Sequence, residues 1–421
     1  MDICDMNIIP DSNADVVAVG RQSANNKPPD WEPTPVMGPP IEPTPASEVN
    51  REPVGFWPNS LVIALNDFKY KSLSNFACNT TIGCIHGCIF CSVPSTSVIK
   101  QKPKLAEYGV TDPDGEWGNY ALLRPWDEKK FMASLKRAEA IPMSDLKPDG
   151  NRAVIFCSVT DAYQTFRAST PALSKLLNES SEAIVRKALV AIRDHSSLNV
   201  RILTRSPLAR RDFDLFNTFG NRLVFGMSLP TLDNNLARIY EPNAPAPSQR
   251  LKTLHDAKAA GLHVYVAMAP TYPDCDEADL RKTLTAIKAL KPITLFHEPI
   301  NIRAQNVTRI AQHAAELGVT LNTAVFETRQ TWREYALGSL TLVQRLATEL
   351  GLLHCLHLWP DQDLEDKGPF LKLRESQRAN LQLTKHQQNQ HKKLDEHKYR
   401  TEYLPWLNGW WDRISEWPGK Q

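Results

Sequence analysis

Between residues 59 and 330 the sequence alternates short β-rich runs with amphipathic helical stretches, and this alternation limits the available folds more than any other feature. A strand, a helix and another strand in succession imply a crossover connection and a parallel sheet. Six such units fit an incomplete TIM-like barrel of the α/β class. The six predicted strands are Leu73–Asn79, Ala153–Val159, Val200–Thr204, Leu223–Leu229, Val264–Ala269 and Ile293–His297.

Polar residues follow every one of these predicted strands. Active sites in such barrels lie at the carboxyl ends of the strands, so the loops that begin there are the first place to look for chemistry. The chemically capable residues at the strand ends are Cys84, Cys88, Cys91, Ser158, Thr160, Asp161, Tyr163, Arg205, Ser228, His297 and Glu298. The sequence therefore predicts one site, which is assembled from loops at one edge of the sheet.

Three closely spaced cysteines, Cys84, Cys88 and Cys91, follow the first predicted strand, with gaps of three residues and then two. A cubane iron–sulfur cluster is normally held by four thiolates, so three thiolates leave one iron open to another ligand. In a chain of 421 residues, an open iron points to an enzyme before it points to an electron carrier. The motif therefore predicts a site-differentiated 4Fe–4S cluster.

A zinc site is the alternative for the same motif, with His86 as a fourth ligand beside the three cysteines. His86 lies between two of the thiols, which is too close in sequence for easy wrapping around one ion. No second cysteine pair follows it. Ligand spacing therefore favours the cluster over zinc.

The motif Cys84-x3-Cys88-x2-Cys91 resembles the signature loop of the radical S-adenosylmethionine (SAM) superfamily. Further motifs make the chain similar to the spore photoproduct lyase-like branch of that superfamily, over about residues 70 to 305. These motifs are Gly-Cys-x-His-Gly-Cys-x-aromatic-Cys from Gly83, Ser-x-Thr-Asp-x-Tyr-Gln from Ser158, Thr-Arg-Ser-Pro from Thr204 and Tyr-Glu-Pro-Asn-Ala-Pro from Tyr240.

The resemblance implies a partial TIM-like (β/α)6 radical SAM barrel with a 4Fe–4S cluster and SAM as cofactors. In this superfamily SAM chelates the open iron, and one electron cleaves its sulfonium to give methionine and a 5′-deoxyadenosyl radical. The radical then abstracts a hydrogen atom from the substrate, while the protein binds, orients and shields. The resemblance implies a lyase-like enzyme with a one-electron donor of the flavodoxin or ferredoxin type, and it leaves the substrate unassigned.

The resemblance also implies roles for residues that would contact SAM. Phe90 would pack against the adenine, with ordinary core packing as the alternative. Thr160 and Asp161 would accept from the SAM amino group, and Arg205 would pair with the SAM carboxylate, where the branch has lysine. An arginine keeps the charge but alters the geometry. Ser228 would contact the ribose or the methionine end, with a bond to local backbone as the alternative.

Four strand-end residues are candidates for contact with the substrate. Ser158 stands where spore photoproduct lyase has a hydrogen-donating cysteine, and Cys157 precedes it by one residue. Successive strand side chains point to opposite faces, so Cys157 is predicted to point away from the site. Without a cysteine at the donor position, repair of thymine dimers is not predicted here. Tyr163, His297 and Glu298 end other strands. His297 and Glu298 form an acid/base pair in one interpretation, and in the other His297 only bonds a neighbouring loop.

Outside the barrel, predicted over residues 59–335, the two ends of the chain differ in composition. Residues 1–58 hold 11 of the 31 prolines and few aromatics, which predicts a disordered tail. Residues 336–421 read as a helical, basic and Trp-rich extension. Such a stretch binds nucleic acid in one interpretation, and in the other it is a solvated helix whose tryptophans pack back onto the barrel.

Charge and cysteine usage set broad limits on function. The net charge is +2, from 49 basic and 47 acidic residues, so nothing global favours nucleic acid. The five cysteines outside the motif are scattered singly, and no apolar run suits a signal peptide or a membrane span. These features predict a cytoplasmic protein with no membrane partner. Two alternatives remain: a radical SAM lyase acting on a nucleic-acid lesion or base, and a non-catalytic iron–sulfur or zinc module that binds nucleic acid.

Overall fold

The computed structural model describes residues 51–66, 74–146, 150–361 and 364. Most of the predicted tail, residues 1–50, lies outside the described residues, as do residues 365–421 with the basic and Trp-rich segment. None of the helices in the described ranges is both long enough and apolar enough to cross a membrane.

Eleven strands form two sheets within the described residues. The larger sheet has eight strands in the order β11-β10-β9-β8-β7-β6-β3-β2, and the smaller has three in the order β1-β5-β4. The strands are β1 Val54–Phe56, β2 Ile63–Leu65, β3 Phe76–Cys78, β4 Thr81–Gly83, β5 Ala121–Leu123, β6 Ala153–Phe156, β7 Asn199–Thr204, β8 Leu223–Ser228, β9 Val264–Thr271, β10 Thr294–Pro299 and β11 Leu356–Leu358.

The larger sheet is parallel from β3 to β11, with β2 antiparallel at its edge. All six predicted strands occur in it, as β3 and β6 to β10, and each of β6 to β10 lies beside the next strand along the chain. This is the parallel α/β arrangement that the sequence predicts.

Ten α-helices lie between or beside the strands of the described ranges. They are α1 Val93–Thr96, α2 Lys102–Ala106, α3 Glu128–Glu139, α4 Pro171–His195, α5 Phe213–Asn217, α6 Asn234–Tyr240, α7 Pro247–Ala259, α8 Glu277–Leu290, α9 Asn306–Leu317 and α10 Arg329–Glu349. The three longest helices of the described ranges, α4, α8 and α10, each begin after a residue whose side chain caps the helix. The side chains of Thr170, Asp276 and Thr328 accept hydrogen bonds from the first turns of α4, α8 and α10.

Each strand of the larger sheet sends alternate side chains to its two faces. In β10, Leu295 belongs to the main core under the helices, whereas Phe296 joins a smaller cluster on the inner face. Tyr265 of β9 lies in that inner cluster, and a Cβ on Gly226 of β8 would come within 2.3 Å of its ring. The inner face therefore packs the aromatic rings of Tyr265 and Phe296, and the ring of Tyr265 occupies the space that a side chain at position 226 would fill.

The sheets extend beyond both predicted domain boundaries. Strand β1 lies inside the predicted tail 1–58, where it pairs with β5. At the other end, β11 lies inside the predicted extension 336–421, yet it pairs with β10 of the main sheet. Both boundaries were set from local composition. Composition within a short window does not show that a three-residue strand has a distant partner.

The cysteine loop is delivered by the smaller sheet rather than by the predicted strand. Leu73–Asn79 is predicted to lead into the loop, but β3 ends at Cys78 and the chain then forms β4, which pairs antiparallel with β5. The cysteines follow Gly83, the last residue of β4. Between β3 and β4 the chain passes from the larger sheet to the smaller one, so the cysteine loop starts from the smaller sheet.

Candidate active site

A cavity of about 490 Å³ lies at the carboxyl ends of the parallel strands. Its wall contains residues 158–161 after β6, Arg205 after β7, Ala269 and Pro270 in β9, residues 298–301 at the end of β10 and residues 359–361 after β11. The cavity thus lies at the edge of the sheet where the sequence predicts the site.

Cys84, Cys88 and Cys91 all line this cavity, and the first two are buried. Their loop leaves β4 through Gly83, at φ +88°, and turns again at Gly87, at φ +57°. Glycine adopts these left-handed conformations without strain. A Cβ on Gly83 would lie 2.4 Å from a carbonyl oxygen of the segment before β5. The backbone path into the cavity therefore requires glycine at this position.

The first half of the cysteine loop is held by side chains that follow β6. The hydroxyl of Thr160 donates to the carbonyl oxygen of Gly83 over 2.6 Å. The amide of Gln164 donates to Thr160 Oγ1 over 2.9 Å, and its oxygen accepts from the backbone N–H of Ile85 over 2.7 Å. Thr160 thus lines the cavity as predicted, with its hydroxyl committed to the loop.

The second half of the loop is held by two helices. The backbone N–H of Ile89 donates to the carbonyl oxygen of Tyr240, at the end of α6, over 3.0 Å. From α9, Asn306 and Arg309 donate to carbonyl oxygens of residues 89–91. Neither α9 residue is predicted from the sequence. Their spacing of three residues, which places both on one face of a helix, is the available signal.

Burial raises the pKa of all three thiols, to about 12 for Cys88. A metal that binds them must therefore displace protons. Three cysteines on one loop that line one cavity match the donor set of an iron–sulfur cluster, which is held by thiolates. The residues present fit a cluster with three protein ligands.

His86 is placed as a partner of Asp161. Its Nδ1 lies 3.4 Å from Asp161 Oδ2, and both side chains are buried. Burial lowers the pKa of His86, and the neighbouring carboxylate of Asp161 opposes that shift. Within the described ranges, no three His, Cys, Asp or Glu side chains, the three cysteines included, converge as the ligands of a single metal ion do, whereas the thiolates of a cluster each bind a different iron. The contact with Asp161 differs from the ligand role that the zinc alternative assigns to His86.

The carboxylate of Asp161 connects the loop after β6 to the carboxyl end of β7 through hydrogen bonds. Its Oδ1 accepts from the hydroxyl of Thr204 over 2.7 Å and from the backbone N–H of Tyr163 over 2.9 Å. Its Oδ2 accepts from the backbone N–H of Arg205 over 2.8 Å. Asp161 therefore lies in the cavity wall with its carboxylate engaged by neighbouring loops. Its role toward a SAM amino group stays a prediction.

Arg205 lines the cavity and forms an ion pair with Glu241, with 2.7 Å between Nε and Oε1. Glu241 also pairs with Arg250, which is itself fully buried and donates to the carbonyl oxygens of Pro245 and Ser228. Burial alone would raise the pKa of Glu241, but the two guanidinium groups outweigh it and lower the pKa to about 2. One buried carboxylate therefore orients the arginine that faces the cavity.

Phe90 serves both as a core residue and as part of the cavity wall. It is 7% exposed, and its ring lies 5.7 Å from that of Tyr272. Tyr272 in turn stacks on Tyr240, at 4.1 Å between centroids and 8° between planes. The guanidinium of Arg205 lies 5.8 Å from the centroid of Phe90. The two interpretations of Phe90 are thus compatible.

Two of the four predicted catalytic residues line the cavity. Ser158 is held by Asn79, whose Oδ1 accepts from the backbone N–H of Ser158 over 2.8 Å. Glu298 follows the inward-facing Phe296 by two residues along β10, so strand alternation turns it toward the same face. Cys157 also lines the cavity, although it is predicted to point away from it.

The prediction that Tyr163 faces the cavity is wrong. Its side chain is fully buried, and its hydroxyl donates to Asp212 Oδ2 over 3.0 Å. Its ring packs edge-on against Phe216 of α5. The turn that Asp161 closes directs Tyr163 into the core, which position along the sequence does not reveal.

His297 does not face the cavity either. It lies between two inward-facing residues of β10, so its side chain points to the helix side, where its Nε2 lies 3.4 Å from Ser339 Oγ of α10. Burial lowers its pKa to about 3. His297 is therefore neutral at physiological pH, and the predicted acid/base pair with Glu298 is wrong because adjacent strand residues face opposite sides.

Ser228 is buried at the end of β8 and is absent from the wall of the cavity. Its carbonyl oxygen accepts from Arg250 over 3.2 Å. The residue beside it in the sheet, Ala267 of β9, does line the cavity. The structure thus places Ser228 behind the wall, as a support for Arg250.

The far wall of the cavity is formed by residues that are not among the predicted site residues, although Asn301 belongs to the predicted loop after the sixth strand. Asn301, Arg303 and Asn306 follow β10, and Trp359 and Asp361 follow β11. Arg303 forms an ion pair with Asp361, and Trp359 stacks on an inner-face ring, Phe296 in β10, at 4.4 Å. Recognition of β11 as a strand of the main sheet would have pointed to Trp359 and Asp361.

No protein-family model matches the sequence. The chain is 30% identical over 270 residues to the uncharacterized protein ORF301 of Acidianus two-tailed virus, a match that covers 62% of this chain and 80% of the viral protein. It is 23% identical over 264 residues to the uncharacterized protein MJ0683 of Methanocaldococcus jannaschii, a match that covers 62% of this chain and 83% of the other protein.

Among solved structures, the fold matches a cysteine-to-serine mutant of spore photoproduct lyase. The TM-score is 0.50 at 12% identity, over 73% of this chain and 81% of the other. Another spore photoproduct lyase mutant, with bound AdoMet and dinucleoside spore photoproduct, gives a TM-score of 0.49 over the same shares of the two chains. At 12% identity, the match with a TM-score of 0.50 shows the fold alone.

Proposed function

We propose that this chain, which belongs to the same family as ORF301 of Acidianus two-tailed virus and has the radical SAM fold of spore photoproduct lyase, is a lyase-like radical SAM enzyme that acts on an unassigned substrate. The observation that carries the proposal is the cysteine loop. Three thiols, spaced three and two residues apart, line a cavity of about 490 Å³ at the carboxyl ends of the parallel strands.

In this proposal Cys84, Cys88 and Cys91 hold a 4Fe–4S cluster. Such a cluster, when bound, supplies one electron that cleaves SAM, so that a hydrogen atom is taken from the substrate. SAM itself comes to this chain by analogy with the lyase whose AdoMet complex is cited above. A flavodoxin or ferredoxin as the electron donor is also part of the proposal.

The residues of this chain bind and orient. Arg205 faces the cavity with a guanidinium that is fixed by Glu241, and it suits a carboxylate ligand because arginine is always charged and bonds carboxylates bidentately. Phe90 offers an aromatic face beside it. Ser158 and Glu298 are the predicted catalytic residues that remain available to a substrate in the cavity.

The test is anaerobic SAM cleavage by the reconstituted protein under dithionite, measured as 5′-deoxyadenosine. Wild type is compared with Cys88→Ala and with Cys355→Ala, which removes a buried cysteine far from the loop in sequence. We expect product from wild type and Cys355→Ala, and none from Cys88→Ala. Equal product from all three, or no product from wild type that carries a cluster, would refute the proposal.

The same assay addresses the two alternatives. A non-catalytic iron–sulfur or zinc module predicts complete metal ligation and no binding of SAM. A lyase acting on a nucleic-acid lesion or base predicts SAM cleavage that is coupled to a change in an added oligonucleotide. The basic C-terminal segment that motivates nucleic acid lies outside the described residues.

A further inference from the structure

Three consecutive carbonyl groups of the cysteine loop accept hydrogen bonds from helix α9. The side-chain amide of Asn306 donates to the carbonyl oxygen of Phe90 over 3.1 Å. Arg309 donates through Nε to the carbonyl oxygen of Ile89 over 3.2 Å and through a terminal nitrogen to that of Cys91. One turn of α9 therefore grips the segment that ends in the third cysteine.

Asn306 also binds the opposite side of the cavity. Its amide donates to the carbonyl oxygen of Asn301 over 2.8 Å, and its oxygen accepts from the backbone N–H of Arg303 over 2.8 Å. Asn306 is 2% exposed, and all three of these residues line the cavity. A single buried amide thus connects the cysteine loop to the wall that follows β10.

Arg309 ties the loop to a third part of the chain. Its guanidinium pairs with Asp114, which also accepts from the hydroxyl of Ser95 just after the loop. The side chains of Arg309 and Asp114 are 11% and 12% exposed. An arginine fork whose donors reach two carbonyl groups and a carboxylate is fixed more firmly than a flexible ammonium would be.

We propose that Asn306 and Arg309 are positioning residues, which hold residues 89–91 in place and keep a positive charge beside the cluster site. The second part of this inference depends on the cluster of the proposed function. The first part, the grip of α9 on the loop, is a property of the chain alone. The two parts therefore have separate tests.

The physical basis is twofold. Hydrogen bonds with an ionised donor are roughly twice as strong as neutral ones, and loss of the donor leaves partly buried carbonyl groups without a partner. In addition, net charge and hydrogen bonding around an iron–sulfur cluster set its reduction potential. Without Arg309, the carboxylate of Asp114 would lose the guanidinium with which it pairs.

The first experiment measures amide hydrogen exchange across residues 84–97 in metal-free protein. Arg309→Gln is compared with Arg281→Gln, which removes exposed ion pairs of α8 with Glu277 and with Glu349 of α10 and leaves the hydrogen bonds of the loop in place. We expect Arg309→Gln to speed exchange in this segment about tenfold, and Arg281→Gln to leave it unchanged. Equal exchange in the two variants would overturn the proposal.

Asn306→Ala is the second variant, because it removes the amide without altering any charge. It is expected to speed exchange both in residues 84–97 and in the segment around Asn301. Faster exchange in neither segment would overturn the role of Asn306. This variant keeps the proposal testable if Arg309→Gln does not fold.

The second experiment uses protein reconstituted with iron and sulfide, and follows the midpoint potential by electron paramagnetic resonance. Arg309→Gln should shift the potential to more negative values, because a nearby positive charge stabilises the reduced cluster. Arg309→Lys should restore the potential while exchange in the loop stays fast, since lysine keeps the charge without the fork. An unchanged potential in Arg309→Gln would overturn the electrostatic part, which a purely structural role would not require.

The two experiments distinguish this inference from the proposed function. Faster loop exchange in Arg309→Gln, in a chain that holds no cluster, would support the grip of α9 while the radical SAM proposal failed. A cluster that cleaves SAM, together with loop exchange unchanged in Arg309→Gln, would support the proposed function while this inference failed.

Discussion

At the scale of single residues, Glu241 is a buried carboxylate that two arginines share. It is fully buried between Arg205 and Arg250. Removal of one partner from a buried ion pair strands the other charges, at a cost of about 3–5 kcal/mol. We therefore expect Glu241→Gln to lower the free energy of unfolding by roughly this amount, measured by urea denaturation.

A surface glutamate provides the control for this variant. Glu277 pairs with Arg281 and Arg345 on exposed helix faces, where ion pairs contribute little. Glu277→Gln should leave the urea midpoint unchanged. A similar midpoint for both variants would show that Glu241 is not the buried anchor of Arg205.

Tyr163 provides a second prediction at this scale. Its hydroxyl is bonded to the carboxylate of Asp212, away from the cavity. Tyr163→Phe is expected to lower the free energy of unfolding by about 2 kcal/mol, as for a hydrogen bond to a charged group, and to leave SAM cleavage intact. Loss of 5′-deoxyadenosine formation in a fully folded Tyr163→Phe protein would contradict this prediction and indicate that Tyr163 takes part in the reaction. Ser158→Ala, at a position that does line the cavity, is the matched comparison.

At the scale of elements, strand β11 pairs with β10 at the edge of the sheet, and Trp359 directly follows it. Trp359 is 5% exposed and stacks on Phe296. Trp359→Ala is expected to cost about 3–5 kcal/mol of stability in urea denaturation, because it empties a buried aromatic site. Trp359→Phe should recover much of this loss. A cost near zero for Trp359→Ala would mean that β11 contributes little to the sheet.

The element scale also shows what periodicity can and cannot predict. The six strands from β3 to β10 that the sequence predicts are short apolar runs between turn residues, and local pattern is enough to find them. Strands β1, β4 and β11 have three residues each, which is too few to carry a period. Each is stabilised by a partner strand that is distant in sequence or by a turn. Without these three strands, the sequence assigns the cysteine loop to the predicted strand Leu73–Asn79 and leaves β1 and β11 outside the predicted barrel.

At the scale of the whole molecule, the lowered pKa of Glu241 makes stability depend on acid pH. The folded pKa is about 2, against a usual value of 4.5. A depressed carboxyl pKa contributes stability that is fully present above pH 4.5 and is lost as the pH falls toward 2. The difference in unfolding free energy between wild type and Glu241→Gln should therefore narrow across this window. A constant difference from pH 7 down to pH 3 would contradict the pairing.

Site residues could be predicted where a local sequence motif identifies them. They could not be predicted where the direction of a side chain determines whether it faces the cavity. The spacing of Cys84, Cys88 and Cys91 placed all three on the cavity, and the strand-end rule placed Asp161, Arg205 and Glu298 there. The same rule misplaced Tyr163 and His297, because one-residue differences in strand and turn geometry reverse a side chain. Asn306 and Arg309 were missed because they act on a loop more than two hundred residues earlier in the chain.

That separation has a consequence for biosynthesis. The carbonyl groups that α9 holds precede their donors by 216 to 220 residues. At a ribosomal rate of about 5–20 residues per second, the cysteines are synthesised on the order of ten to forty seconds before the helix that secures them. The loop that would hold the proposed cluster therefore gains the hydrogen bonds from α9 only after the chain has been synthesised beyond Leu317.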